Sequence, residues 1–192
     1  MNVDALRQDI AACRVCEAAL GFEPRPTVSF SATSRILIVG QAPGSKVHAS
    51  GIPWDDASGD RLRDWTGLTR EQMYDPALVA LVPMGFCYPG KASGGDKPPR
   101  PECAPRWHHR VLDALTQVRL TLLVGTYAQK AYLPQTAGWT MQARVERWRD
   151  FAPATFALPH PAWRSTLFMR RNPWFEAEVL PDLRAAVGKA LA

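Results

Sequence analysis

The sequence predicts an α/β fold, a three-layer α/β/α sandwich with a central four-stranded, mainly parallel sheet. Four short apolar runs recur along the chain of 192 residues, and helical segments separate them. A glycine or a proline ends or follows each run, as expected of strands that are buried on both faces of a parallel sheet. Because strands and helices alternate, we expect helices on both faces of the sheet. The length suits a single domain, to which we assign residues 1–192.

Each predicted strand is an apolar run of five or six residues. The runs are residues 35–40 (RILIVG), 78–82 (LVALV), 120–124 (LTLLV) and 154–158 (ATFAL). The third run ends at Gly125, and the weaker fourth run ends at Pro159 and His160. Apolar runs this short, bounded by glycine or proline, are more typical of strands than of helices.

Helices are predicted between the strands and at both ends of the chain. They cover residues 1–20, 58–65, 105–117, 126–133 and 174–191. In the first helix, Leu6, Ile10 and Cys13 share one face at helical spacing. Ser58 is the expected N-cap of the second helix, because its hydroxyl can accept a hydrogen bond from a backbone N–H of the first turn.

The composition is that of an ordinary globular protein, with 46% apolar and 21% charged residues and no apolar run as long as a membrane span. The N-terminal segment carries Asp4 and Asp9 and no apolar core, so we expect no signal peptide, no membrane partner and a cytoplasmic location. The net charge of +5 indicates either a polyanionic partner or simply a basic surface. No heptad pattern or large apolar stripe is evident, so we expect a monomer.

Four cysteines are the candidate metal ligands, and the chain contains no further cysteine. They are Cys13, Cys16, Cys87 and Cys103. The spacing of the first two puts their thiols about one helical turn apart, and the third follows a predicted strand. Thiolates suit zinc or an iron–sulfur cluster equally well at this spacing, and buried or free cysteines are the third alternative.

The polar and aromatic residues that stand out follow the predicted strands. In open α/β sheets ligands bind outside the carboxyl ends of the strands, so the segments that follow the four strands should meet at one edge. Those segments are residues 40–44 (GQAPG), 83–87 (PMGFC), 125–127 (GTY) and 160–163 (HPAW). We therefore predict one binding cleft at this edge.

Three features of these segments each have a functional and a structural interpretation. The glycines of residues 40–44 let the backbone approach a ligand, or they form an ordinary turn. Trp54, flanked by Pro53 and by carboxylates, is a platform for a flat base or a core residue. His160 donates a hydrogen bond into the cleft, or it is a histidine with satisfied hydrogen bonds at a strand terminus.

Taken together, these motifs resemble the uracil-DNA glycosylase superfamily. Residues 40–44 match its first motif, and His160-Pro161-Ala162 matches its HPS-type second motif. Residues 51–59 match a glycine-rich stretch of the thermophile-type family that carries a [4Fe–4S] cluster, with Trp54 at the aromatic position. The cysteines fit that family's cluster ligands, and the diproline at residues 98–99 resembles a segment of the same family.

The resemblance implies a uracil-DNA glycosylase-like fold and a glycosylase that hydrolyses the N-glycosidic bond of a flipped-out base, most simply uracil, in single- or double-stranded DNA. We hypothesise that the catalytic residues are His160, which donates to the leaving base, Gln41, which positions a water, and Asp56, which acts as the base or as the electrostatic partner of the sugar cation. The resemblance places Gly40, Ala42, Trp54 and Pro83 at base-binding positions. It implies DNA-binding residues Trp163, Arg164, Arg170 and Arg171. It implies a [4Fe–4S] cluster on Cys13, Cys16, Cys87 and Cys103, with zinc as the alternative.

The sequence also departs from the family pattern. Gln41 stands where the cluster-bearing family has Glu, Pro83 stands where a base-reading Asn is expected, and Asp56 stands where the family has Gly. These departures leave open a glycosylase for hypoxanthine or xanthine, or an inactive iron–sulfur DNA-binding protein. A zinc-stabilised hydrolase of small molecules has little support, because neither GxSxG nor HExxH occurs.

Overall fold

The structure, a computed structural model, describes residues 2–163 and 165–192. Within those residues the chain forms six strands, which in chain order are β1 (Ile36–Val39), β2 (Val79–Leu81), β3 (Lys91–Ala92), β4 (Gly95–Asp96), β5 (Leu120–Val124) and β6 (Thr155–Leu158). The α-helices of the same residues are α1 (Val3–Ala11), α2 (Glu17–Leu20), α3 (Ser45–Ser50), α4 (Ala57–Thr66), α5 (Arg70–Tyr74), α6 (Cys103–Ala114), α7 (Thr126–Tyr132), α8 (Met141–Glu146), α9 (Ser165–Arg171) and α10 (Leu180–Leu191). A π-helical turn, Phe175–Val179, leads directly into α10.

The central sheet has four strands in the order β2-β1-β5-β6, and all its neighbouring strands are parallel. Every residue of β1 and β2 is buried, because helices cover the sheet and leave no strand face to solvent there. Helix α10 packs on β1, β5 and α4, while α7 and α8 pack on β5 and β6. The predicted α/β class and four-stranded sheet are confirmed, and the four predicted strands agree with the observed ones to within one residue at each end.

The predicted N-terminal helix of residues 1–20 is wrong. Met1 lies outside the described residues, and α1 ends at Ala11, after which the backbone turns before α2 begins at Glu17. Leu6 and Ile10 are buried as expected and anchor α1, which packs against α6. The turn that follows α1 contains Cys13, so the first two cysteines lie beside a break between helices rather than along one helix.

The predicted N-cap of α4 is also wrong. Asp56, two residues before Ser58, caps the helix, and its Oδ1 accepts hydrogen bonds from the backbone N–H groups of Ser58 and Gly59, both at 2.9 Å. An aspartate is among the strongest N-cap residues, because its carboxylate satisfies N–H groups that have no partner inside the helix.

The strands β3 and β4 form a small antiparallel hairpin apart from the central sheet. This hairpin lies between β2 and α6 and was not predicted from the sequence. All residues from Lys91 to Lys97 are exposed. None of the described helices is both long enough and apolar enough to cross a bilayer.

Candidate active site at the carboxyl edge of the sheet

A solvent-open cleft lies at the carboxyl edge of the sheet. Its walls come from the segments after β1, β2 and β6, from the start of α4 and from the β3–β4 hairpin. Seven residues named from the sequence line this cleft together: Gly40, Gln41, Ala42, Trp54, Asp56, Pro83 and His160. The structure thus brings them to one place, as the rule for parallel sheets predicts.

The loop after β1 is fastened to the loop after β2 by two backbone hydrogen bonds. The N–H of Met84 donates to the carbonyl of Gly40 at 2.9 Å, and the N–H of Gly85 donates to the carbonyl of Gln41 at 3.0 Å. These bonds extend the pairing of the strands beyond the sheet. The floor of the cleft is therefore a continuation of the sheet.

Trp54 is held in an unusual backbone conformation, with a positive φ of 59°. A Cβ on Gly59 would lie 1.8 Å from the Trp54 carbonyl oxygen, and the same oxygen accepts a hydrogen bond from the Tyr74 hydroxyl at 3.1 Å. The indole ring covers Gly40, where a Cβ would lie 2.7 Å from Trp54 Cζ2. A left-handed conformation is costly for a bulky residue, so this contact with two glycines and a tyrosine holds it in place.

His160 follows β6 and faces the cleft beside Trp54, with 5.9 Å between the ring centroids and 32° between the ring planes. Although the side chain is exposed to the cleft, the protein atoms around it desolvate the ring and lower the pKa of His160, while the charges of Asp56 and Asp96 oppose this shift. The ring is therefore neutral at neutral pH and carries one N–H that can donate into the cleft.

The segment that carries His160 is supported from two sides. The buried side chain of Gln129 donates from Nε2 to the carbonyl of Leu158 at 2.9 Å, at the end of β6. On the other side, Arg61 of α4 donates from Nη1 to the carbonyl of Ala162 at 2.9 Å and to the Ser165 hydroxyl at 2.8 Å. Neither Gln129 nor Arg61 was named from the sequence, because each acts through a backbone carbonyl far away in the chain.

Two carboxylates line the cleft near Gly44. A Cβ on Gly44 would lie 3.6 Å from Asp96 Oδ2 and 3.8 Å from Asp56 Oδ2. Asp96 belongs to the β3–β4 hairpin and was missed by the sequence analysis. The only local signal was the Gly94-Gly95 pair before it, which indicates a tight turn but not where that turn lies in the fold.

Pro83, at the position where the family pattern has an amide side chain, presents no N–H to the cleft. Its carbonyl accepts a hydrogen bond from His108 Nε2 at 2.9 Å, and His108 Nδ1 lies 2.9 Å from the Tyr132 hydroxyl. Burial lowers the pKa of His108, although the bond to Pro83 opposes the shift. In the neutral ring Nε2 donates to the carbonyl, so Nδ1 accepts a hydrogen bond from the Tyr132 hydroxyl.

The segment after His160 displays aromatic and basic side chains outside the cleft. Trp163 is 75% exposed, and Arg170 and Arg171 are exposed in the last turn of α9. Phe168, on the same helix, lines the cleft, so α9 joins this exposed surface to the site. Arg164, which was named from the sequence, lies outside the described residues.

The four cysteines line one separate pocket. Two come from the turn between α1 and α2, Cys87 follows β2, and Cys103 is the first residue of α6. The backbone N–H of Phe86 donates to Cys103 Sγ at 3.2 Å. Among the described residues, no three His, Cys, Asp or Glu side chains form a group that could hold a metal ion.

Burial raises the pKa of Cys87 to about 12 and that of Cys103 to about 11, and it also raises the pKa of Cys16. The charges of neighbouring cysteines raise the values further, although the N–H of Phe86 opposes the shift at Cys103. Without a bound cation these thiols are protonated at neutral pH. A metal centre that binds the thiolates must therefore displace their protons.

The family comparison agrees with the fold and with the contents of the cleft. A sequence model described as Uracil DNA glycosylase superfamily matches residues 28–184, from the segment before β1 into α10. The match contains every described residue of the cleft named above, as well as Cys87 and Cys103, but it begins after Cys13 and Cys16. Members of this superfamily are DNA glycosylases, hydrolases that act in base excision repair. Because the match covers most of the chain, the protein belongs to the uracil DNA glycosylase superfamily.

Proposed function

We propose that this protein removes a deaminated base, uracil, from DNA by hydrolysing the bond between the base nitrogen and deoxyribose C1′. In this reaction the sugar becomes cation-like and the base leaves with negative charge on its carbonyl oxygen. The protein must extrude the nucleotide, hold the base and stabilise both charges. The observation that carries the proposal is a neutral histidine N–H beside an aromatic ring in one open cleft.

His160 donates its N–H to the carbonyl oxygen of the leaving base. A neutral donor suits this role, because it stabilises the developing anion without needing a proton from solvent at neutral pH. Trp54 stacks on the flipped base from its place above Gly40. Ala42 and the neighbouring backbone of the loop after β1 approach the base from the floor of the cleft.

Gln41 orients the attacking water, since its side-chain amide can hydrogen-bond with water but cannot act as a base. Asp56 provides negative charge to the sugar cation. One of its carboxylate oxygens caps α4, which fixes the side chain, and the other lies near Gly44. Asp56 is therefore a preorganised electrostatic partner whose position does not depend on the substrate.

DNA is bound by the surface after His160. Trp163 enters the duplex or the strand at the position left by the flipped nucleotide, and Arg170 and Arg171 contact phosphates. Arg164 joins them on the strength of its sequence position alone. Replacing Arg170 and Arg171 together by alanine should make the negative slope of log binding constant against log salt concentration shallower by roughly 1.4 to 1.8, as expected for the loss of two phosphate contacts. An unchanged slope would remove both arginines from the interface.

Pro83 supports a second candidate, a glycosylase for hypoxanthine or xanthine. A proline has no N–H, and the Pro83 carbonyl is already engaged by His108, so this wall of the cleft does not offer uracil an amide partner. A wall without that hydrogen-bond pattern discriminates less strongly between bases. Uracil remains the first choice, because it is the base of the superfamily to which the chain belongs.

We further propose that the four cysteines hold a [4Fe–4S] cluster. Zinc bound by thiolates lies about 2.3 Å from each sulfur, which brings the sulfurs close together around one ion. A cluster of iron and sulfide atoms is larger and separates its thiolates more widely. The four cysteines line one pocket although they come from separate segments of the chain, which supports a shared metal centre. The choice of a cluster over zinc rests on the resemblance of the cysteine pattern to that of the cluster-bearing family. When bound, the cluster would fasten the α1–α2 turn to the sheet and add its binding free energy to folding.

Replacing Cys87 with serine tests the cluster proposal. The variant should lose the brown colour and visible absorbance of the purified protein and should give a lower soluble yield, because one anchoring thiolate is missing. Elemental analysis of the wild type should find iron and sulfide. A colourless wild type that contains zinc would refute the iron assignment and leave the fold unaffected.

The glycosylase proposal is tested with single-stranded oligonucleotides that carry uracil, hypoxanthine or xanthine, followed by alkaline cleavage at the abasic site. The wild type should cleave at uracil. His160→Ala should lower turnover by about 10²–10³-fold, the usual loss when one donor to a developing anion is removed. DNA binding should change little. His109→Ala, on the exposed side of α6, is the matched control and should be as active as the wild type.

Each result leads to a different conclusion. Cleavage at another base alone would keep the mechanism and change the specificity. An equal loss of turnover and of DNA binding in His160→Ala would contradict the proposed role of this side chain. Saturable DNA binding without release of any base would identify a binding protein that has lost the reaction.

A further inference from the structure

Asp96 is the second carboxylate of the cleft, and it reaches the site from an unexpected part of the chain. Its Oδ2 and that of Asp56 both lie within 4 Å of the position that a Gly44 Cβ would occupy, so the two atoms are at most about 8 Å apart. Both charges also act on the ring of His160. Asp96 therefore belongs to the same cleft as the proposed leaving-group donor.

The sign of the charge in the cleft is the opposite of what DNA binding requires. The chain carries a net charge of +5, yet the charged side chains among the described cleft-lining residues are Asp56 and Asp96, and none of them is a lysine or an arginine. Carboxylates repel the phosphates of DNA and weaken its binding. They stabilise a substrate only where it becomes positive, which in glycosidic bond hydrolysis is the sugar.

The two carboxylates differ in how they are held. Oδ1 of Asp56 accepts two backbone hydrogen bonds at the start of α4, so this carboxylate is committed to a fixed position. Asp96 lies on an exposed hairpin that borders the cleft, where water reaches it freely. It lies close enough to the hydroxyl of the buried Tyr88 to raise the pKa of that group, although burial is the larger cause of the shift. A carboxylate that meets water inside the cleft is the better placed of the two to take a proton from it.

We propose that Asp96 is the catalytic base of this protein, the group that accepts the proton of the attacking water. This role rests on the proposed glycosylase function. The water oxygen forms a bond to C1′ while the bond from C1′ to the base nitrogen breaks. The bonding electron pair leaves with the base, whose carbonyl oxygen accepts the hydrogen bond from His160. The water proton moves to Asp96 and then passes through solvent to the base anion.

The test compares carboxylate variants in single-turnover and steady-state base release from the uracil oligonucleotide. Asp96→Asn should lower kcat by about 10²–10⁴-fold, the usual contribution of a general base. KM and DNA affinity should stay the same or improve, because a negative charge has been removed from the cleft. Added formate should restore part of the activity of Asp96→Ala, since a small carboxylate can enter the space that the side chain leaves.

Two controls separate this role from a structural one. Ser93→Ala alters the same hairpin, and Asp113→Asn removes a carboxylate from the exposed side of α6; both should keep the wild-type kcat. A wild-type kcat in Asp96→Asn would overturn the proposal while leaving the glycosylase function intact. A loss in Asp96→Ala that formate does not restore would also overturn it. A wild type that releases no base from any of the three oligonucleotides would overturn both the base assignment and the glycosylase function.

Discussion

An alanine at position 40 would place a methyl carbon against the indole ring of Trp54. The added Cβ would lie 2.7 Å from Trp54 Cζ2, whereas non-bonded carbons settle at about 3.5–4.0 Å. The ring would have to move by about 1 Å to restore that separation. The Trp54 backbone cannot follow easily, because its carbonyl lies against Gly59 and accepts the Tyr74 hydroxyl. Gly40→Ala should therefore displace the ring that we propose as the platform for the base.

The size of the effect follows from the cost of overpacking. Forcing one extra carbon into a well-packed contact costs about 1–3 kcal/mol. If this strain is relieved by moving the ring away from its stacking position, base release should slow by about 5- to 150-fold, since 1.36 kcal/mol corresponds to a factor of ten in rate. If the backbone yields instead, the same energy appears as lower stability. The increase in the activation free energy of base release and the decrease in the free energy of unfolding should together equal the strain energy.

Single-turnover base release and thermal unfolding measure the two losses. Gly188→Ala is the control, because a Cβ there meets nothing within 4 Å in α10 and alanine favours a helix. A Trp54→Phe background gives the decisive comparison, since phenylalanine has no Cζ2 atom in that position. Gly40→Ala should cost much less there, and the difference is the coupling energy. An equal loss in both backgrounds, or no loss with Trp54 present, would refute the reasoning.

Two further predictions concern stability. Asp56→Ala should lower the free energy of unfolding by about 0.5–2 kcal/mol through loss of the α4 N-cap, whereas Asp56→Asn should keep the cap and lose only the charge. Urea unfolding and base release, measured on both variants, separate the two roles. An alanine variant as stable as the wild type would contradict the capping role. The pKa of His108 is lowered from its usual 6.5 by burial, so the unfolded chain binds more protons just below that pH and the free energy of unfolding should decrease as pH falls through 6.5. His108→Gln should flatten this dependence in urea titrations at several pH values, with a remainder from His160, and an unchanged slope would show that His108 is not the source.

The sheet and the cleft were predictable because both follow from strong local patterns. Residues buried on both faces of a sheet must be apolar, so the runs that became β1 and β5 are recognisable without tertiary information. The carboxyl ends of parallel strands then share one edge, which was enough to bring together the loops that contain Gln41 and His160. In both cases burial in a parallel sheet determines the apolar sequence pattern and also where the following loop lies in the fold.

The errors fall where tertiary contacts decide between local alternatives. Residues 12–20 are compatible with a helix in composition, and what ends α1 at Ala11 is a turn that directs Cys13 toward a cavity shared with distant cysteines. The β3–β4 hairpin is wholly exposed, so it has no apolar alternation that would indicate a strand. The position of Asp96 beside Gly44 depends on where that hairpin folds back, which no nearby residue specifies.

The loop after β1 contains a residue whose observed contacts differ from its sequence interpretation. Gly40 was expected to let the backbone approach a ligand, but the space that it leaves is filled by the protein's own Trp54. Gly59, which lies beyond the start of α4, makes room for the carbonyl of the same tryptophan. Two glycines far apart in the chain therefore permit one left-handed tryptophan, and that residue faces the ring of His160. We therefore expect any contribution of Gly40 to base binding to be indirect, through the ring that we propose as the platform, so its substitution should be coupled to the size of the side chain at position 54.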